Sequence, residues 1–234
     1  MHLFKKYGLS ISFLLLFEAL NGQSVQTFTI QPGENMLSVI PVAERMAFPD
    51  FQRGMIFFNN GSKSGALLNY SFLTQELLFV NAGGDTLALS NAKEVKMVQA
   101  PDGQLFNAGG RMVKKDTIVG NYTLAVGYAF STADRRKVGA FGTTTDGATD
   151  SYIALDATNI GITEMTSQVQ VVLSRKPYFF IGDSELKFVA AAKKQIAALF
   201  PGRQAEINRY IQEKQMNFSS RQELIALLHF LQQP

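Results

Sequence analysis

From Val25 to Pro177 the chain is punctuated by turn residues about every ten positions. Parallel strands need connections of roughly a dozen residues or more, usually a helix. The segments between these turns are too short for that, so the spacing predicts antiparallel strands joined in a meander. Residues 25–30 alternate apolar and polar side chains, the period of a half-buried strand, and Pro32-Gly33 ends them. Residues 54–58 and 66–70 flank the turn segment 59–65, where Asn60-Gly61 supplies the positive φ angles that tight hairpins require. Residues 76–80 and 86–90 surround the turn 81–85, and 94–99 and 104–107 surround Pro101-Asp102-Gly103. Residues 117–119 and 122–130 are rich in branched and aromatic side chains. Residues 134–150 combine charge, glycine and threonine and are expected to form a long loop. The last strand is expected at 168–174, with Val169, Val171 and Leu173 on one face.

After Pro177 the pattern becomes helical. Asp183 or Ser184 can cap a segment to Phe200, with Val189, Ile196, Leu199 and Phe200 on one face. Pro201-Gly202 stops it. A second helix over 204–214 aligns Ile207, Tyr210 and Ile211. A third opens on a capping box, Ser220 with Glu223, and carries Leu224, Leu227, Leu228 and Leu231 as its apolar stripe. The expected class is α+β: an antiparallel β meander domain over 23–177, followed by three short C-terminal helices within 178–234. Such helices must bury their stripes against the sheet or each other. An outer-membrane barrel is disfavoured, because it needs strands of about ten alternating residues throughout.

The first residues carry an address. Lys5-Lys6 precede an apolar run at 9–17, broken only by Ser10 and Ser12, and Asn21-Gly22-Gln23-Ser24 form a polar exit. This order predicts a signal peptide over 1–22, cut after Gly22. The run is about half the 20 apolar residues that a spanning helix needs. No later stretch is long enough either, so no transmembrane span is expected after cleavage. The mature chain is expected in the periplasm, associated with the outer membrane, or outside the cell. The chain has no cysteine, which excludes a lipoprotein thiol and disulfides. The fold must be held by burial, for which 46% hydrophobic residues and 19 phenylalanines are ample.

The same inventory limits chemistry. Net charge is +3, with Lys5, Lys6 and Glu18 in the leader, so the remainder is close to neutral. No dense Lys/Arg patch is interleaved with aromatics, which argues against nucleic acid as a partner. Arg135-Arg136-Lys137 is the only basic triplet, a solvated loop tip or a partner contact. His2 lies in the leader and leaves His229 alone in an apolar helical run, too few histidines for a multi-histidine zinc site. Gly61-Ser62-Lys63-Ser64-Gly65 is not a nucleophile elbow. Ser90-Asn91-Ala92-Lys93 and Ser184-Glu185-Leu186-Lys187 match the serine–lysine pattern without its companion motifs. Walker and dinucleotide fingerprints are missing, and no cofactor is expected.

Carboxylates remain. Asp146, Asp150, Asp156 and Glu164 read as loop solvation, as a metal site with Asp146 and Asp150 as its candidates, or as a hydrolase pair. Tyr70, Phe72, Tyr122 and Tyr128, with Phe57, Phe58, Phe79 and Phe130, read as core or as a ligand groove. The chain has no tryptophan, which weakens a sugar-stacking version of that groove. Four sequons begin at Asn60, Asn69, Asn121 and Asn217, and they matter only in a eukaryotic secretory route. The leader has a bacterial look, so they are discounted.

Leu67-Leu68-Asn69-Tyr70, Glu76-Leu77-Leu78-Phe79 and Asp85-Thr86-Leu87-Ala88-Leu89 resemble a group of exported proteins of unknown function from Gram-negative bacteria. The tail, Phe200-Pro201 through Ile207, Tyr210-Ile211 and Glu223-Leu224 to Leu231, is similar to theirs as well. The resemblance covers about half the chain, and it implies export and a β-rich fold with a helical tail, not an activity. The expected role is a non-catalytic binding or structural protein of the cell envelope. Its partner would be an envelope protein or outer-membrane component. The expected contact residues are Tyr70, Phe72, Tyr122, Tyr128, Arg135 and Arg136. The alternatives are a carrier of an apolar ligand in a β cavity and a carboxylate-dependent hydrolase.

Overall fold

The computed structural model describes residues 25–138, 144–146 and 170–233. Its strands are β1 (Gln26–Ile30), β2 (Gln52–Phe58), β3 (Lys63–Ser71), β4 (Glu76–Val80), β5 (Thr86–Ala88), β6 (Val95–Ala100), β7 (Gly103–Ala108), β8 (Arg111–Val119), β9 (Tyr122–Val138), β10 (Thr144–Asp146), β11 (Gln170–Gly182) and β12 (Phe188–Ala190). They form one sheet in the order β1-β11-β9-β8-β7-β6-β2-β3-β4-β5, with β10 on β9 and β12 on β11. Every pairing is antiparallel. From β2 to β9 neighbours in sequence are largely neighbours in space, as the short turns require. Two short helices, α1 (Met36–Val39) and α2 (Val42–Arg45), follow β1, and α3 (Lys193–Leu199), α4 (Gln204–Lys214) and α5 (Arg221–Gln232) close the chain. No described helix is long and apolar enough to cross a membrane.

β9 and β11 are the spine. They pair from Gln170↔Arg136 to Gly182↔Thr123, with a register shift between Val172 and Leu173. One face of this ribbon serves two cores. At one end Phe130, Val171 and Leu173 pack with Ile30, Ile56, Leu68, Tyr70, Phe72, Val98 and Leu105. At the other end Leu124, Val126, Phe179 and Ile181 receive Ile196, Ile207, Leu224, Leu227, Leu228 and Leu231 from the helices. Tyr128 lies between and packs against both. On the reverse face Phe106, Ala108, Val113 and Ala125 meet Tyr178, Phe180 and Phe188. α5 is tied along β8 by an Arg221–Asp116 ion pair of 2.7 Å and by Gln232 Nε2 donating to Val119 O at 2.6 Å.

The helical tail begins later than the sequence predicts. β11 runs through Pro177 to Gly182, so the expected boundary at 177 falls within a strand. Tyr128 O accepts from Gln75 Nε2 at 2.9 Å, so that carbonyl points away from β11. Pro177, opposite Tyr128, therefore sits in a pair without ladder hydrogen bonds. Its missing N–H faces the gap between β1, whose pairing ends at Arg175, and β12, whose pairing starts at Phe180. The proline costs the ladder nothing there. Asp183 does not cap a helix; its Oδ1 accepts from Glu185 N and Lys187 N and closes the β11–β12 turn. Residues 188–190 are strand, and α3 starts at Lys193. The Ser220 cap forms, but Glu223 reaches Asn217 N rather than closing the box on Ser220. The expected 134–150 loop is partly sheet: β9 continues to Val138 and pairs with β10. Its remaining residues, with Asp150, lie outside the described residues, as do Asp156 and Glu164.

Candidate functional site

Three arrangements on the sheet carry polar or exposed groups with a defined environment. The first is built on Asn69. Residues 46–48 run beside the end of β3, where Ala47 N donates to Tyr70 O and Phe72 N to Arg45 O. At 52 the chain rejoins β3 as β2, pairing Gln52 with Leu68. Between them the main chain leaves the ladder, and the Asn69 carboxamide fills the break. Its Oδ1 accepts from Phe48 N at 3.1 Å and Tyr70 N at 2.8 Å, and its Nδ2 donates to Phe48 O at 2.9 Å and Asp50 O at 3.1 Å. Asn69 is 1% exposed, so the sequon that begins there is closed to modification in the folded chain.

The second arrangement centres on Gln75, which turns the chain between β3 and β4 at φ 59°. Gln75 Nε2 donates to Phe72 O at 2.6 Å and Tyr128 O at 2.9 Å. Gln75 Oε1 accepts from the Tyr70 and Tyr178 hydroxyls, both at 3.2 Å. One amide thus links the β3–β4 turn to β9 and β11. Burial holds both phenols protonated, with Tyr178 pushed up to about 12 although the Arg111 guanidinium opposes the shift. Tyr70 moves the same way, first by burial and then by its neighbour Tyr178. A phenol raised in the folded state stabilises the fold fully below its unfolded value near 10, and that stability is lost as pH rises. Tyr178 alone therefore lowers stability by about 2–3 kcal/mol between pH 10 and 12. Thermal melts across that range show the decline, and Tyr178→Phe flattens part of it.

The third is a trough of about 940 Å³ on the outer surface of β6, β2, β3 and β4. Three strand spacings separate β4 from β6, so the trough is about 14 Å wide. Arg53, Met55, Gly65, Leu67, Val80 and Gln99 line its bed, and the Asn81-Ala82 and Ala100-Pro101 turns form opposite rims. Met55 and Leu67 are each 39% exposed. Register makes this bed: Arg53 lies opposite Leu67, Leu67 opposite Val80, and Met55 between Gly65 and Gln99. Gly65 leaves the bed open beside Met55.

The aromatic candidates divide. Tyr70 and Phe72 are 1% and 2% exposed. Tyr70, Phe72 and Tyr128 form a chain of edge-on contacts with centroids 5.4 and 5.2 Å apart. Arg175 lies over the Tyr128 ring at 3.3 Å and pairs with Glu44, which pins α2 to the sheet. Tyr122 is elsewhere, tilted on Phe200 at 4.8 Å beneath the helices. Packing accounts for the positions of these four rings. Arg135 and Arg136 belong to β9, opposite Val171 and Gln170. The backbone of Asp146 lies opposite Arg136. Among the described residues no group of three His, Asp or Glu side chains is placed to hold a metal ion. Gln75 and Tyr178 carry no local sequence signal, and the only one for the trough is the apolar Met55 and Leu67 at positions that the strand period turns outward. No protein family, curated protein or solved structure matches the chain.

Proposed function

We propose that this chain is an exported, non-catalytic binding protein of the bacterial cell envelope, and that the trough is the surface that meets its partner. The observation that supports the reading is the exposure of Met55 and Leu67 side by side in a concave bed, between two turns and next to Arg53. A concave apolar bed with a few polar groups is the usual form of a recognition surface. Arg53 forms no ion pair among the described residues and is available to an acidic group of the partner. The Lys5-Lys6 leader supports export.

The test uses the mature protein as bait against a detergent extract of envelopes, with each captured component quantified. One envelope component should be enriched repeatedly by the native protein. Its capture should weaken about tenfold with Met55→Asp/Leu67→Asp, equivalent to about 1.4 kcal/mol. The melting curve of the variant should match that of the native protein, because both side chains face outward. Recovery of the bare monomer, or equal capture by the variant, counts against the reading.

A further inference from the structure

We infer that Asn60 is a site of spontaneous covalent modification, in which its amide is converted to aspartate and isoaspartate, and that Ser62 promotes the conversion. Asn60 and Gly61 are both exposed, at the tip of the β2–β3 hairpin. Gly61, at φ +85°, has no side chain, and apart from its chain neighbours no atom lies within 4 Å of where a Cβ would stand, so neither a side chain of its own nor any more distant residue crowds this side of the turn. The Asn60 carboxamide is held. Its Oδ1 accepts from Ser62 N at 2.9 Å and from Ser62 Oγ at 2.7 Å. These two donors draw electron density from Cγ, and they face the oxygen on which negative charge develops when Cγ is attacked.

Gly61 N is the attacking atom. It donates to Phe58 O at 3.0 Å in the closed turn, so that bond must open first. It is not one of the bonds that hold the Asn60 carbonyl, so Ser62 can remain in place while Gly61 N is released. Gly61 N gives its proton to a solvent base and bonds to Cγ. The Cγ–N bond of the carboxamide breaks, and ammonia leaves. Water then opens the resulting five-membered imide at either carbonyl, giving aspartate or isoaspartate with no oxidant or reductant. The two products differ in place. Aspartate keeps an acceptor oxygen for Ser62, whereas isoaspartate adds a methylene to the main chain within the tight turn.

The test is peptide mapping by mass spectrometry of the purified protein during incubation at mildly alkaline pH. The readout is the mass gained when –NH₂ is replaced by –OH, with the isoaspartate product separated chromatographically. Asn60 should convert severalfold faster than Asn81 or Asn121 in the same sample. Ser62→Ala should slow Asn60 severalfold, and Gly61→Ala should slow it further. Conversion of Asn60 no faster than of Asn81 and Asn121 overturns the site. An unchanged rate in Ser62→Ala, with the fold intact by circular dichroism, overturns the role of Ser62.

Discussion

Asn69→Leu should lower the stability of the folded chain by about 3–4 kcal/mol, a large effect for a replacement that keeps the number and branching of side-chain heavy atoms. Leucine has the same branched skeleton but is bulkier, and it offers no polar atom. Phe48 N and Phe48 O, buried beside Asn69, then lose their partners, and Asp50 O loses its bond as well. Each orphaned buried group costs about 1–3 kcal/mol, and water can recover part of the loss at Asp50, which is exposed. Urea titration should show a lower midpoint with little change in slope. Asn69→Asp gives an independent reading. It keeps the acceptor oxygen but places a carboxylate where Nδ2 now donates to two carbonyls. Burial and those carbonyls raise its pKa above the unfolded value, so the variant should be most stable below about pH 4 and lose stability as pH rises. A loss under about 1 kcal/mol in Asn69→Leu would mean that the 48–51 segment is held by packing instead.

The strands that read clearly in the sequence are those whose information is local. The alternation of residues 25–30 and the Asn60-Gly61 turn specify β1 and the β2–β3 hairpin without help from the rest of the chain. The apolar stripes of α4 and α5 do the same. Pro177 reads as the end of the sheet because proline lacks an N–H. Only the positions of β1 and β12 reveal that no partner is waiting for that N–H. Residues 183–190 carry apolar spacing compatible with a helix, yet Phe188 stacks on Phe106 with centroids 4.8 Å apart, a contact with a residue far back in the chain. Asn69 and Gln75 are polar residues whose partners come from segments distant in sequence, up to 103 residues for Gln75 and Tyr178. The trough depends on the register of four strands, and no single strand contains that information.

Gly127→Ala should destabilise the protein by about 2–4 kcal/mol, and the sign matters as much as the size. Gly127 has an ordinary strand backbone, for which alanine is normally better than glycine by roughly 0.5–1 kcal/mol. A gain is therefore the default expectation at this position. The Tyr178 ring reverses it. Tyr178 lies directly opposite Gly127 across the β9–β11 pair and folds over it, covering the bare backbone. A Cβ at 127 would stand only 2.3–2.5 Å from Cζ, Cε2 and the hydroxyl oxygen of that ring. The ring must swing away, and the Tyr178 hydroxyl then leaves Gln75 Oε1, weakening the link between the β3–β4 turn, β9 and β11. If this is the cause, the cost belongs to the pair and not to Gly127. In a Tyr178→Ala background, Gly127→Ala should become neutral or stabilising, giving a coupling of about 2 kcal/mol or more in a double-mutant cycle. Equal destabilisation in both backgrounds would place the constraint in the backbone and remove Tyr178 from the account.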